Sequence, residues 1–229
     1  MAHERLVEKA RRGGIDIYFE GDSITRRWGT SDTQYREFLE NWRGNFFGWN
    51  AANFGWGADT VQNILWRVSN GELDAVHPKV VVLLAGTNNI GDTPRQGVDQ
   101  DIVEEVASGI AAVVDVIRAK APEATLVLTG ITPRRDRDGG PTLMPTIDAI
   151  NRRIAALADG SRVRSININN RLARADGVLI DGMTVDGLHL SVAGYQVWAD
   201  ALKPIFRELL GPPASRDHAP PPTGDPGAR

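Results

Sequence analysis

The 229-residue chain contains no cysteine. That removes disulfides, thiolate zinc sites and a cysteine nucleophile together. It also has no apolar run approaching the roughly 18 residues that a membrane-spanning helix needs. Its start, Met-Ala-His-Glu-Arg, lacks an apolar core, so the sequence as it stands shows no signal peptide. A soluble protein without membrane insertion is expected. Its compartment stays open between the cytoplasm and, had a leader been removed, the outside. Charge of one sign is scarce too. The net charge of −3 gives no whole-chain reason to expect nucleic acid as a partner. The local basic run Arg134, Arg135 and Arg137 reads as a solvated loop. Histidine is limited to four positions, which restricts any general base to a short list.

What the chain does have is alternation. Apolar stretches rich in β-branched residues, at 15–20, 49–54, 79–84, 125–129 and 163–168, read as five strands. Helical patterns over 60–69, 98–120, 142–158 and 191–210 separate or follow them. Strand and helix in alternation predict a parallel sheet covered by helices, an α/β domain over residues 1–211. Residues 212–229, Gly/Pro-rich with small polar residues, read as a disordered tail.

In such a sheet, ligands bind outside the carboxyl ends of the strands. The loops there are Gly21-Asp22-Ser23, 54–59, 86–89 and 132–140. Ser23 follows the first strand, where it can open a helical turn with its hydroxyl at the sheet edge. By itself Gly-Asp-Ser is equally an N-cap sequence. Position 25 is Thr, so the segment is not the G-x-S-x-G elbow of the α/β-hydrolases. A serine nucleophile needs a base. His3 lies at the terminus, His218 in the tail, and His77 before a strand on the opposite edge. His189 remains, with Asp186 three residues earlier in Asp186-Gly187-Leu188-His189. A carboxylate at that distance can hold the second ring nitrogen and stabilise the imidazolium; otherwise the pair is a solvated acid and a helix-capping histidine.

The oxyanion formed when an ester carbonyl is attacked needs fixed donors. Asn88, in Gly86-Thr87-Asn88-Asn89, can offer a side-chain amide, and 53–60 can offer backbone N–H groups, though Asn and Gly are also ordinary turn residues. Asp59-Thr60-Val61-Gln62 resembles a capping box, so a helix is expected to start there. Trp28 and Trp56 flank these segments in sequence and read either as site walls or as packing.

The four blocks, Gly21-Asp22-Ser23-Ile24, 53–60, Gly86-Thr87-Asn88-Asn89 and Asp186-Gly187-Leu188-His189, together resemble the SGNH hydrolases, also called the GDSL esterase and lipase family. The run NFGWGADTVQNILWRVSNGELDAVHPKVVVLLAGTNN is most similar to the platelet-activating factor acetylhydrolase Ib catalytic-subunit-like group. The resemblance implies a flavodoxin-like three-layer α/β/α sandwich with strand order 2-1-3-4-5. It implies a Ser23, His189, Asp186 triad and an oxyanion hole made by Ser23 N–H, Ala58 N–H and the Asn88 amide. No cofactor and no metal are implied; the partner is a small-molecule ester, and a homodimer is an assembly that some relatives adopt. One position departs from the pattern: Ala58 stands where the family has glycine. Alanine serves if φ is negative there and is strained if φ is positive, with Gly57 as the fallback donor. The chain has no long apolar lid, which favours short acyl groups, chiefly acetyl, over triglycerides. Carbohydrate deacetylation and hydrolysis of phospholipid-like acetates are the substrate alternatives; a non-catalytic binding subunit on the same fold is the rival class. Asp136-Arg137-Asp138-Gly139-Gly140 faintly suggests a calcium loop, but Ile147 occupies the twelfth position where an EF-hand needs Glu.

Overall fold

A computed structural model describes residues 2–93 and 97–227. Along the chain lie α1 (Ala2–Arg11), β1 (Ile17–Gly21), α2 (Ser23–Gly29), α3 (Arg36–Phe46), β2 (Ala51–Asn53), α4 (Val61–Arg67), β3 (Val80–Leu84), α5 (Thr87–Ile90), α6 (Gln100–Lys120), β4 (Thr125–Thr129), α7 (Met144–Ala155), β5 (Val163–Ile166), α8 (Asn169–Leu172) and α9 (Val192–Leu210). The five strands form one sheet in the order β2-β1-β3-β4-β5, and every neighbouring pair is parallel. This is the expected three-layer fold.

Period-2 alternation divides the sheet between two cores. Tyr18, Val81, Leu83, Leu126 and Leu128 face helices α1, α4, α6 and α7. Ile17, Phe19, Val80, Val82 and Val127 face α2, α3 and α9. Because both faces are covered, β3 and β4 are buried at every position, β3 as a continuous apolar run and β4 as an apolar centre between two threonines. The second core is aromatic: Trp28, Trp42, Phe46, Trp198 and Phe206 cluster about Phe19.

Two sequence expectations change. β2 is only three residues long, since Asn50 adopts φ 52° just before it and the chain turns away after Asn53. Helix α3 lies outside the expected helices, although Phe38, Leu39, Trp42 and Phe46 line one face of it. Residues 212–227 lie along the β2 edge. There Ala214 N–H donates to the Gly48 carbonyl, Gly48 N–H to Asp217, and Thr30 Oγ1 to the Thr223 carbonyl. Pro220 is buried, and Pro220–Pro222 help line a cleft against Trp42, Phe46 and Ala51. The apolar edge of the sheet gives these stiff prolines something to cover. Residues 228–229 lie outside the described residues.

Candidate active site

Three loops at the carboxyl ends of β1, β2 and β3 meet a fourth that precedes α9. Asp22 caps α2 by accepting from Ile24 N–H at 2.8 Å, so Ser23 becomes the first residue of the helix with its hydroxyl at the sheet edge. Burial pushes the Asp22 carboxyl up to about 7, against the lowering effect of that hydrogen bond.

Ser23 Oγ lies 3.0 Å from His189 Nε2, and His189 Nδ1 lies 2.7 Å from Asp186 Oδ2. The other carboxylate oxygen of Asp186 accepts from the backbone N–H groups of Leu188 and His189, at 3.1 and 2.8 Å. With Nδ1–H donating to Asp186, Nε2 is left to accept from the serine hydroxyl. The loop is pinned by the Thr184–Leu190 bridge and by Arg135 N–H donating to the Gly187 carbonyl. Burial lowers the His189 pKa below its ordinary value; Asp186 opposes that shift, and the positive charges of Arg27 and Arg134 reinforce it. Burial would raise Asp186, but its hydrogen bonds to His189 hold it below the usual carboxylate range.

The second loop packs hard against the first. Asn53 Nδ2 donates to the Thr25 carbonyl at 2.6 Å and its Oδ1 accepts from Gly55 N–H at 3.0 Å. Trp56 N–H donates to the Gly21 carbonyl at 3.0 Å. A Cβ on Gly55 would come within 2.6 Å of Arg26 N, so only glycine allows this approach. Ala58 sits at φ 62°, the left-handed region, which is the strained alternative for alanine. Thr60 caps α4 reciprocally with Asn63, so the expected helix start is one residue further on than Asp59.

In the third loop, Gly86 takes φ 116°, and a Cβ there would meet Ile131 and Val106 at 2.8 Å. The turn presents Asn88, whose Nδ2 donates to the Asp59 carbonyl at 2.8 Å. This bond uses one of the two amide hydrogens and fixes the direction of the other.

Ser23, Gly57, Ala58, Asn88, Leu188 and His189 line one open cavity of about 360 Å³ together with Arg26, Arg27 and Tyr35. All the sequence-expected site residues therefore converge. The tryptophans part ways. Trp28 is fully buried in the aromatic core, while Trp56 lies beneath the Arg26 guanidinium at 4.4 Å. Sequence reasoning missed Tyr35, under Arg27 at 5.1 Å, and misjudged Arg134. Arg134 is 8% exposed and donates to the Thr87 carbonyl at 3.0 Å, so it braces the third loop instead of lying in solvent. Asp136 accepts from the N–H groups of Asp138, Gly140 and Thr142, so its oxygens are used inside its own loop.

The GDSL-like lipase/acylhydrolase family profile matches residues 19–197. The chain belongs to this family. The alpha1 subunit of platelet-activating factor acetylhydrolase IB from Bos taurus is 32% identical over 229 residues, covering 98% of this chain and 89% of that protein. The alpha2 subunit from Rattus norvegicus is 32% identical over 209 residues, covering 91% and 83%. Among solved structures, a GDSL-like lipase from Bacteroides thetaiotaomicron superposes with TM-score 0.67 at 18% identity, covering 91% of this chain and 98% of that one. An acetyl-xylooligosaccharide esterase from Geobacillus superposes with TM-score 0.60 at 17% identity, covering 86% and 95%. Membership of this GDSL family makes a hydrolase the expected class of activity, and no helix among the described residues is long and apolar enough to cross a membrane.

Proposed function

We propose that the protein is a serine ester hydrolase that cleaves short-chain esters, mainly acetyl esters, through Ser23, His189 and Asp186. The observation that carries this reading is the unbroken hydrogen-bond line from Ser23 Oγ to His189 to Asp186, at 3.0 and 2.7 Å. His189 Nε2 takes the hydroxyl proton as Ser23 Oγ bonds to the ester carbonyl carbon. The carbonyl oxygen takes up the electron pair and rests on the N–H groups of Ser23 and Ala58 and on the Asn88 amide. The intermediate collapses by breaking the carbon–oxygen bond to the alcohol, which leaves with the proton from His189. Water then attacks the acyl-serine, giving a proton to His189, and the second intermediate collapses by breaking the bond to Ser23 Oγ, which takes that proton back from His189 as the acid leaves. The lowered pKa keeps His189 unprotonated, and so competent as a base, at neutral pH.

The acetyl preference has two supports. The relatives at 32% identity are acetylhydrolase subunits by name. The cavity is also small and open, with Leu188 as its one large aliphatic wall residue, which suits a short acyl chain. A carbohydrate acetate and a phospholipid-like acetate remain the two leaving-alcohol classes. The test is p-nitrophenyl ester hydrolysis by the wild type and Ser23→Ala. The wild type should turn over the acetate faster than the octanoate, and the variant should fall by roughly 10⁴-fold or more. Equal rates in the two proteins would overturn the nucleophile assignment, and an optimum at long chains would overturn the short-acyl assignment.

A further inference from the structure

Behind the candidate oxyanion hole lies a buried ionic group that the mechanism above does not use. Arg67, the last residue of α4, has a side chain only 6% exposed. Its guanidinium has five N–H donors, and the structure gives them five acceptors. Nε donates to Asp59 Oδ2 at 2.7 Å. Nη1 donates to the Phe54 carbonyl at 3.0 Å and to Glu72 Oε2. Nη2 donates to Glu20 Oε1 at 2.6 Å and, more weakly, to the Gly21 carbonyl at 3.4 Å.

These acceptors are not scattered. Gly21 is two residues before Ser23. Phe54 and Asp59 bracket the loop that carries Ala58. The Asp59 backbone carbonyl is the group that orients Asn88 Nδ2. One planar cation thus touches the first two loops directly and the third through Asp59. Ala58, the residue in a left-handed conformation, lies immediately before the residue that Arg67 grips. Glu20 extends the link, since its Oε1 also accepts from Gly21 N–H at 2.9 Å. Burial pushes Glu20 and Glu72 upward, as expected for several carboxylates gathered around a single guanidinium.

We propose that Arg67, acting through Asp59, is a positioning residue that sets the mutual aim of the three oxyanion donors: the N–H groups of Ser23 and Ala58 and the Asn88 amide. The proposal rests on the serine hydrolase reading, because it concerns that reading's transition state. Donors stabilise a developing oxyanion in proportion to how well they are aimed before it forms, and a shift of about 1 Å can cost roughly 100-fold in rate. Binding of the uncharged ester depends much less on that aim. A fault here therefore appears in kcat and leaves KM nearly unchanged.

Two variants test it. Arg67→Lys keeps one positive charge among the carboxylates but cannot reach all five acceptors at once. Asp59→Ala cuts the link to the second loop and leaves the Arg67 hydrogen bonds to Glu20 and Glu72 in place, and the melting temperature reports whether the variant is folded. For each variant and the wild type, kcat and KM on p-nitrophenyl acetate, the melting temperature, and the inhibition constant of a small boronic acid are measured. The boronic acid is the probe because its tetrahedral serine adduct needs the same donors as the transition state. The expected result is a kcat lower by about 10- to 100-fold, a KM within about twofold, and boronate affinity falling in step with kcat. Wild-type kcat and boronate affinity in folded Asp59→Ala would overturn the inference and leave the esterase reading standing. A wild type that hydrolyses no ester would instead overturn the esterase reading, and this inference with it.

Discussion

Ala58 is the residue at which chemistry and conformation pull apart. The proposed oxyanion hole asks for a backbone N–H, which any residue but proline supplies, but the loop asks for φ 62°, where an L-side chain costs about 1–2 kcal/mol. Ala58→Gly should therefore raise stability by about 0.5–1 kcal/mol, after allowing for the greater freedom of glycine in the unfolded chain. In a domain of this size that is a rise of about 2–3 °C in melting temperature, readable by calorimetry, with hydrolysis retained. A lower melting temperature in Ala58→Gly would show that the alanine methyl makes packing contacts worth more than the strain. The sequence exposes this conflict because the departure from glycine falls inside a recognisable motif. Arg67 is not legible in the same way. A lysine or arginine at the end of an amphipathic helix normally reads as a solvated cation near the negative end of the dipole. That this helix ends behind the sheet, within reach of Glu20 and Glu72, is a tertiary fact with no local signal. Arg134 escapes for the same reason, since only the return of its loop over Thr87 buries it.

At the scale of elements, legibility follows burial on two faces. β3 and β4 are plain because central parallel strands are buried throughout and built on runs of valine and leucine. β2, at the edge, is overdrawn because Trp49 and Phe54 serve the cores without belonging to the strand. α3 is hard to see because charged and polar residues alternate with its four large apolar ones, although the spacing of those four is helical. The start of α4 carries the strongest local signal of all. Thr60 and Asn63 exchange side-chain and backbone bonds there, and Asn89 reaches across to accept from Val61 N–H at 3.0 Å. The cap does two jobs, ending the second loop and starting the helix that delivers Arg67. Thr60→Ala should lower stability by about 1 kcal/mol, seen as a midpoint shift in urea unfolding without a change of slope. If the midpoint stays put, the Asn89 contact alone suffices to hold the helix start, and the cap is redundant.

For the whole molecule, the modest net charge of −3 conceals several buried carboxyl groups. Asp22, Glu20 and Glu72 are all buried, and burial raises all three, Asp22 from an ordinary value near 3.8 to about 7. The unfolded chain releases the Asp22 proton near pH 4, while the native state keeps it until about pH 7. Between those values the native state binds more protons, so stability falls as pH rises. Asp22 alone accounts for a loss on the order of 2 kcal/mol between pH 5 and pH 7. His189 acts in the other direction, since its lowered pKa means the unfolded chain holds that proton longer, but only over the narrower range below its ordinary value of 6.5. Above pH 7 Lys9 adds a second opposing effect. Desolvation brings it down to about 7, so up to its ordinary value near 10.5 the unfolded chain binds the extra proton and stability rises with pH. The melting temperature should therefore be highest near pH 5, drop by several degrees toward pH 7, and level off or recover toward pH 9. Asp22→Asn keeps an oxygen for Ile24 N–H and cannot ionise, so it should flatten the drop in a calorimetric series. A series in which the Asp22→Asn variant and the wild type lose stability equally would mean that the buried carboxyl takes its charge without cost, and that the loss belongs to the group around Arg67.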